Sequence, residues 1–273
     1  MISDISKDEL QSVLDVIKAQ YGYDFSDYAS ASLKRRVLRF LQSASLKDIA
    51  EFRYRLSNDS AFFSWFVQSV TVNVTEMFRD PQFYKTMRET VLPKLASYPV
   101  IKIWHAGCST GEEVYSMAIM LHEQGLLKRS RVYATDINPA NLERAMSGIM
   151  STSQMKDYTQ NYIQSGGMED FSSYYTARYD NAILNSELRK SIIFSQHNLV
   201  TDAAFNEFHL VCCRNVLIYF NRTLQNRVMQ LFHDSLAPLG YLALGIKESL
   251  LFSDIRDKFE SVSMLNKIYR RHR

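Results

Sequence analysis

The sequence has little of several features that would assign it to a special class. It contains 3 cysteines, 9 glycines and 5 prolines in 273 residues. Two cysteines, Cys212 and Cys213, are adjacent, so the set matches neither a disulfide framework nor a zinc-ligand spacing, and we expect buried thiols. No uncharged apolar run approaches the roughly 18 residues of a membrane span, and the first residues lack a signal-peptide profile. We therefore expect a cytoplasmic protein without direct membrane insertion.

An excess of charge is also lacking, since the net charge is only +3. This value does not by itself indicate nucleic-acid binding. Positive charge is nevertheless concentrated between Ser30 and Leu56, where basic residues outnumber acidic ones. Arg35, Arg36 and Arg39 lie close together opposite an apolar stripe at helical spacing, so we expect an exposed basic face. A plain solvated surface is the simpler interpretation of the same pattern.

The distribution of apolar residues divides the chain in two. Residues 1–90 have helical spacing and no convincing strand, which predicts a helical N-terminal domain and linker. In residues 91–273, short apolar runs alternate with helical patterns, which predicts an α/β domain with a doubly wound, mostly parallel sheet. The stretch between Asp136 and Ile192 is about twice as long as one helix with two short loops needs. Its Tyr-rich later part predicts an inserted small β-subdomain at about 160–190.

The glycine loop in the stretch WHAGCSTGEEVYS has an unusual charge. Gly107 and Gly111 are followed directly by Glu112 and Glu113. Loops that bind pyrophosphate offer backbone N–H groups and a helix N-terminus to negative charge, and two carboxylates there would repel such a ligand. The loop therefore favours a neutral or cationic ligand. Glycines that serve only a tight turn are the competing interpretation.

In an open α/β sheet, ligands bind outside the carboxyl ends of the strands. Asp136 ends the second predicted strand, where a carboxylate can accept hydrogen bonds from both hydroxyls of a ribose. A nucleoside with a positive centre fits both features, and S-adenosylmethionine has cationic sulfonium and ammonium groups. Arg79 is a candidate for its carboxylate, because a guanidinium binds a carboxylate in bidentate fashion. Asp136 could instead be only the N-cap of the next helix.

Five motifs together resemble the signatures of the chemoreceptor protein-glutamate O-methyltransferases, the CheR family. They are TVNVTEMFRD at 71–80, HAGCSTGEEVYS at 105–116, ATDIN at 134–138, HNL at 197–199 and CRNVLIYF at 213–220. They follow the family's order, and the resemblance spans nearly the whole chain. It implies a small all-helical N-terminal domain, an S-adenosylmethionine-dependent methyltransferase domain and an inserted three-stranded antiparallel β-subdomain.

The resemblance also implies site residues. The implied cofactor contacts are Asn73, Thr75, Arg79, Gly107, Glu113, Asp136, Asn198, Leu199, Asn215 and Val216. Glu113 is preferred to Glu112 because the family's glutamate precedes a usual proline, which is Val114 here. Arg79 and Tyr219 are implied near the acceptor, although Tyr219 could equally be a core aromatic. His209 is a further departure, since the family often has aspartate there.

The implied activity is methylation of glutamate side chains on the cytoplasmic domain of a chemoreceptor. S-adenosyl-L-methionine is the implied methyl donor, S-adenosyl-L-homocysteine the product, and no metal is implied. A glutamate carboxylate is ionised at pH 7, so the transfer needs alignment and water exclusion rather than a general base. The basic face of Arg35, Arg36 and Arg39 would contact acidic receptor helices. The β-subdomain could bind a receptor's C-terminal tethering peptide by strand addition.

Two other functions remain as alternatives. A signalling adaptor that binds the cofactor without turnover would keep the same cofactor residues. A nucleic-acid methyltransferase would use the basic segment to contact phosphates. Amino-methylating enzymes of that type usually carry an Asp/Asn-Pro-Pro-aromatic loop after the fourth strand, whereas CRNVLIYF contains no proline. We therefore expect no nucleic-acid partner.

Overall fold

The computed structural model describes residues 4–71 and 73–273 and divides them into two compact units. The helical unit comprises the described residues up to 71 together with Leu217–Val228. The α/β unit comprises Asn73–Val216 and Met229–Arg273. The chain therefore enters the helical unit a second time at Leu217, which lies within the last of the five motifs, CRNVLIYF.

The division falls close to residue 72 rather than near 90. The helical stretch 81–95 contributes Phe83, Tyr84 and Val91 to the same apolar core as the strands of the sheet. Its sequence pattern is helical, but its buried side chains assign it to the α/β unit. Periodicity identifies the type of element and does not identify the core that the element joins.

The helical unit begins with the helices α1 (Lys7–Tyr21), α2 (Ser30–Ser43), α3 (Ile49–Asn58) and α4 (Ser60–Val70). Ser6 and Glu9 form a capping box, in which each side chain accepts the backbone N–H of the other residue. The carboxylates of Asp48 and Asp59 cap α3 and α4 in the same way as a serine would. Their buried faces form one apolar core rich in phenylalanine.

The remaining helices are α5 (Pro81–Thr86), α6 (Leu92–Leu95), α7 (Glu112–Glu123), α8 (Pro139–Ser147), α9 (Met155–Gln164), α10 (Ser186–Arg189) and α11 (Arg222–Ser235). The strands are β1 (Ile101–Ala106), β2 (Ser130–Asp136), β3 (Ile149–Ser151), β4 (Tyr175–Arg178), β5 (Asn181–Leu184), β6 (Ile192–Gln196), β7 (Phe208–Cys213), β8 (Leu236–Leu244), β9 (Phe259–Ser263) and β10 (Ile268–Arg271). A π-helical turn at Met87–Val91 connects α5 to α6.

The main sheet has the order β6-β2-β1-β7-β8-β10-β9 among the described residues. Strands β6, β2, β1, β7 and β8 pair in parallel, β10 pairs antiparallel with β8, and β9 pairs antiparallel with β10. The central strands are buried on both faces, which explains why they read as continuous apolar runs. The predicted α/β fold with a mostly parallel sheet is confirmed.

The insertion between β2 and β6 forms a small antiparallel sheet of order β3-β5-β4. The Tyr-rich stretch supplies β4 and β5, as its composition predicted. The third strand, Ile149–Ser151, lies before the expected range of 160–190, and α9 separates it from β4. A strand of three residues is too short to show alternation, so the sequence pattern could not reveal it.

Two smaller expectations concern cysteines and membrane spans. The three cysteines are free and buried, and all of them lie in the described part of the chain. No helix within residues 4–71 and 73–273 is long and apolar enough to cross a membrane.

A buried charge anchors the insertion to α7. The side chain of Glu123 is 0% exposed and forms an ion pair with Arg88. The same carboxylate accepts hydrogen bonds from the hydroxyls of Tyr162 and Tyr174 and from the backbone N–H of Met168. All three donors belong to the insertion. The β-subdomain is therefore attached by a polar network as well as by apolar packing.

We expect Glu123→Ala to lower the free energy of unfolding by about 3–5 kcal/mol, because it leaves the Arg88 cation buried without its partner. The midpoint of urea unfolding, followed by circular dichroism, measures this loss. Glu89→Ala is the matched control, since Glu89 is exposed, and its effect should stay within about 0.5 kcal/mol. Equal midpoints for the two variants would contradict the assigned role of Glu123.

Candidate functional site

The glycine loop connects β1 to α7 and requires glycine at two positions. Gly107 has φ +76° and Gly111 has φ +96°, both in the left-handed region. A Cβ atom on Gly107 would lie 2.6 Å from Cγ2 of Val216, and one on Gly111 would lie 3.0 Å from Cβ of Ala145. The loop is thus a tight turn, and it also touches the residue that follows Asn215 after β7.

Asp136 is 8% exposed at the end of β2. Its Oδ2 accepts the N–H of Ser109 at 2.8 Å, and its Oδ1 accepts the N–H of Asn138 at 2.9 Å and Nδ2 of Asn141 at 3.2 Å. The N-cap of α8 is Asn138, whose side chain accepts the N–H of Ala140 at 3.1 Å. The alternative in which Asp136 is only an N-cap is therefore wrong.

Asp136 is linked to a second predicted residue through Asn141. The Nδ2 group of Asn141 also donates to Oδ1 of Asn73 at 2.8 Å, so one amide joins the end of β2 to the first predicted cofactor contact. Burial raises the pKa of Asp136, and hydrogen bonds from the N–H groups of Asn138 and Ser109 oppose that rise. No motif assigned a role to Asn141, since it lies inside a helix.

Glu113 and Arg214 form the central ion pair of this edge. Oε2 of Glu113 accepts Nη1 of Arg214 at 3.0 Å, and its Oε1 lies 2.9 Å from Nδ1 of His105. Nη2 of Arg214 donates to Oδ2 of Asp80 at 2.8 Å and to the carbonyl oxygen of Arg79 at 3.1 Å. Arg214 directly follows the fourth predicted strand, where chemistry is expected in an open sheet, but the sequence analysis assigned it no role.

The electrostatics of the two neighbouring glutamates differ. Burial acts to raise the pKa of Glu113, but the hydrogen bond to His105 and the charge of Arg214 hold it below its ordinary value. Burial disfavours the cationic form of Arg214, yet the charge of Glu113 raises its pKa. Burial raises the pKa of Glu112, whose carboxylate accepts the Thr110 hydroxyl at 2.7 Å. Of the two neighbouring glutamates, Glu113 is therefore the one whose ionised form is favoured.

The segment that carries Asn73, Thr75 and Arg79 has a constrained backbone. Phe78 and Asp80 have φ +53° and +60°, although neither is glycine. Such conformations cost roughly 1–3 kcal/mol each and persist where the surroundings hold them. The N–H of Phe78 donates to the Ser116 hydroxyl at 2.9 Å, and the Asp80 side chain is held by Arg214, as described above. This end of the segment is consequently fixed against α7.

Asn215 adopts φ +64° after β7 and depends on a residue that the sequence analysis missed. Oε2 of Glu248 accepts the N–H of Asn215 at 2.9 Å and the N–H of Gly245 at 2.6 Å. Glu248 is 5% exposed. A Cβ atom on Gly245 would lie 2.7 Å from Oε2 of Glu248, so glycine is needed for this contact. A buried acid after an apolar strand was the only available signal.

Asn198 and Leu199 follow β6 and adjoin the end of β2, because the N–H of His197 donates to the carbonyl oxygen of Asp136 at 3.2 Å. Oδ1 of Asn198 accepts the N–H of Val200 at 3.0 Å, which stabilises the turn. Leu199 is buried. Every predicted cofactor residue thus belongs to the α/β unit. Those from Gly107 onward lie at or after the ends of β1, β2, β6 and β7, whereas Asn73, Thr75 and Arg79 lie on the segment before α5.

Other predicted residues belong to the helical unit. Arg35 and Arg39 are exposed on α2, as their spacing predicted, and Tyr219 is half-buried. Arg36 corrects the expectation of a basic surface, because it is 8% exposed and its Nη1 donates to the carbonyl oxygen of Val70 at 2.6 Å. Position 36 follows Leu33 by three residues, so it lies inside the apolar stripe of α2. We no longer assign Arg36 to direct substrate contact.

We expect Arg214→Met to lower the free energy of unfolding by about 3–5 kcal/mol at pH 7, because Glu113 then lacks its buried cation. In the wild type the pKa of Glu113 is depressed, so its stabilising contribution is present above the ordinary carboxyl range and lost as pH falls through the depressed pKa. The difference between variant and wild type should therefore shrink as pH is lowered. Urea unfolding at two pH values measures it, with exposed Arg178→Met as control; a difference that is independent of pH would contradict the pairing.

Comparison with known proteins identifies both parts of the chain. Residues 73–268 match the family model described as CheR methyltransferase, SAM binding domain, and residues 8–71 match the model described as CheR methyltransferase, all-alpha domain. Cher3 of Pseudomonas putida is 48% identical over 263 residues, which cover 96% of each chain.

Two further relatives carry the name chemotaxis protein methyltransferase. The protein of Listeria innocua is 34% identical and the match covers 92% of this chain and 93% of its own. The protein of Salmonella typhimurium is 29% identical, with 93% of this chain and 88% of its own covered. The carboxyl edge built around Asp136 and Glu113 therefore lies in an S-adenosylmethionine-binding domain, and the chain belongs to the CheR methyltransferase family.

Proposed function

We propose that the protein transfers a methyl group from S-adenosyl-L-methionine to glutamate side chains on the cytoplasmic domain of a chemoreceptor. Membership of the family supplies the cofactor and the type of reaction. The names of the relatives in Listeria innocua and Salmonella typhimurium support a role in chemotaxis. The products of the reaction would be a glutamyl methyl ester and S-adenosyl-L-homocysteine.

The groups at the carboxyl edge fit this cofactor. Asp136 offers a carboxylate for the ribose hydroxyls, and the ionised Glu113 favours a cationic ligand. The hydroxyl of Ser109, within the glycine loop, is buried and has no hydrogen-bond partner in the described residues. When bound, the cofactor supplies an electrophilic methyl group. The residues that we propose to hold it are Asn73, Thr75, Arg79, Gly107, Glu113, Asp136, Asn198, Leu199, Asn215 and Val216.

One observation carries the choice of a carboxylate as acceptor. The titratable groups behind the loop, Glu113, His105 and Arg214, are bonded to one another. His105 and the side chain of Arg214 are each 1% exposed, and both carboxylate oxygens of Glu113 are already bonded, so none of the three is placed to remove a proton from an acceptor. A glutamate side chain suits such a site because it is ionised at pH 7 and needs only alignment with the methyl carbon and exclusion of water.

Residues elsewhere support recognition of the acceptor. We propose that Arg79 and Tyr219 orient its carboxylate and that the exposed Arg35 and Arg39 contact acidic receptor helices. Strand β4 lies at the edge of the small sheet, and most of its residues are exposed. An edge strand of this kind can pair with an extended peptide, which supports a receptor's C-terminal tether as a second partner.

The decisive assay uses methyl-labelled cofactor and a receptor cytoplasmic fragment, followed by mild alkali. A glutamyl methyl ester should release volatile labelled methanol, because esters hydrolyse under these conditions and N-methyl groups do not. A signalling adaptor without turnover would label nothing, and a nucleic-acid methyltransferase would label nucleic acid in an alkali-stable form. Either result in place of labelled methanol would refute the proposed function.

We expect Asp136→Asn to weaken binding of S-adenosyl-L-homocysteine roughly 10- to 100-fold, because hydrogen bonds to a charged acceptor are worth about 1.5–3 kcal/mol. Isothermal calorimetry measures this loss. Since burial raises the pKa of Asp136, wild-type affinity should fall as pH decreases toward that raised pKa, and the variant should lack this step. Exposed Asp157→Asn is the control. Unchanged affinity in Asp136→Asn would remove the ribose assignment.

A further inference from the structure

The segment Leu217–Val228 is held by the helical unit, although it directly follows predicted cofactor residues in the sequence. The N–H of Ala29 donates to the carbonyl oxygen of Tyr219 at 2.8 Å. Asn221 donates its N–H to the carbonyl oxygen of Asp27 at 2.8 Å and its Nδ2 to Oδ1 of Asp27 at 2.9 Å. Tyr28 and Phe220, which lie between these hydrogen-bonded residues, form an isolated antiparallel β-bridge. The backbone of Tyr219 is therefore fixed by the start of α2 and the turn before it.

The ring of Tyr219 lies beside the buried Arg36. Cζ of Arg36 is 5.1 Å from the centroid of the ring, within the range of cation–π attraction. The guanidinium is itself held by two carbonyl oxygens, since Nη1 donates to Val70 at 2.6 Å and Nε donates to Ser32 at 3.2 Å. The guanidinium of Arg36, held by two hydrogen bonds, thus lies beside the ring of Tyr219, whose backbone is also held by a hydrogen bond.

This cation is costly to bury. The titratable groups that act on Arg36 are Tyr219, Tyr28 and Arg35, and none of them is a carboxylate. Within the described part of the chain, its Nη2 is buried without a hydrogen-bond partner. A buried charge without a countercharge reduces stability. Buried ionisable groups of this kind concentrate at functional sites. Tyr219, whose ring lies beside Arg36, is therefore a candidate functional residue.

We propose that Arg36 is a positioning residue that holds the ring of Tyr219 in the orientation required for its hydroxyl to bind the acceptor carboxylate. The proposal rests on the proposed function, in which Tyr219 orients the acceptor. The carbonyl oxygens of Val70 and Ser32 fix the guanidinium, and the cation–π contact transmits that fixed position to the ring. A shift of about 1 Å in such a group can reduce a rate about 10²-fold.

A double-mutant cycle tests the proposal on the full chain with a receptor fragment. Arg36→Gln and Tyr219→Phe should each lower kcat roughly 10- to 100-fold, with the affinity for S-adenosyl-L-homocysteine unchanged. The double variant should be no slower than Tyr219→Phe alone, because Arg36 acts through the hydroxyl. Arg36→Lys, which keeps the charge, should recover part of the rate. Additive losses would overturn the proposal, because they would mean that Arg36 affects the rate independently of the Tyr219 hydroxyl.

Fluorine NMR of a fluorinated tyrosine at position 219 gives a readout that does not depend on activity. Arg36→Gln should shift or split the resonance, whereas Arg227→Gln, an exposed change in the same unit, should not. An unchanged resonance in Arg36→Gln would overturn the proposal. Failure of the proposed function is recognised separately, as absence of alkali-labile labelling by the wild-type protein, and the NMR result still decides the role of Arg36 in that case.

Discussion

The ion pair between Glu113 and Arg214 is the interaction on which the carboxyl edge depends. Through Glu113 it connects the start of α7 to His105 on β1, and through Arg214 it connects the end of β7 to Asp80. A buried pair of charges is stable only if its other hydrogen-bonding groups are also satisfied. These contacts meet part of that need, and they fix four parts of the chain relative to one another.

Buried carboxylates whose hydrogen bonds connect separate segments also occur at two other places in the α/β unit. Asp136 accepts backbone N–H groups from the glycine loop and from the start of α8. Glu248 accepts backbone N–H groups at the ends of β7 and β8. Each buried carboxylate holds two loops together, so the loops are ordered by the protein's own charges. A site built in this way is largely organised before a ligand arrives, which reduces the conformational entropy lost on binding.

Much of the fold could be predicted because the main strands and helices have strong local patterns, and Asp136 could be predicted because strand ends form the site of an open sheet. The roles of Arg214 and Glu248 could not be predicted, because they depend on distant partners. Arg214 and Asp80, for example, are 134 residues apart. The error at Arg36 has a different cause. Its spacing from Leu33 indicated burial, and its charge was given more weight than its position.

The path of the chain limits how this protein can be rearranged in evolution. The helical unit is completed by Leu217–Val228, which lies far along the gene from the rest of that unit. A recombination that exchanged only the first 72 codons would combine the helices of one ancestor with the returning segment of another. Such a chimera would combine Asp27 and Tyr28 of one ancestor with the contacting Asn221 and Phe220 of another. The two units are therefore expected to be inherited as a single cassette, in contrast to modules that are joined end to end.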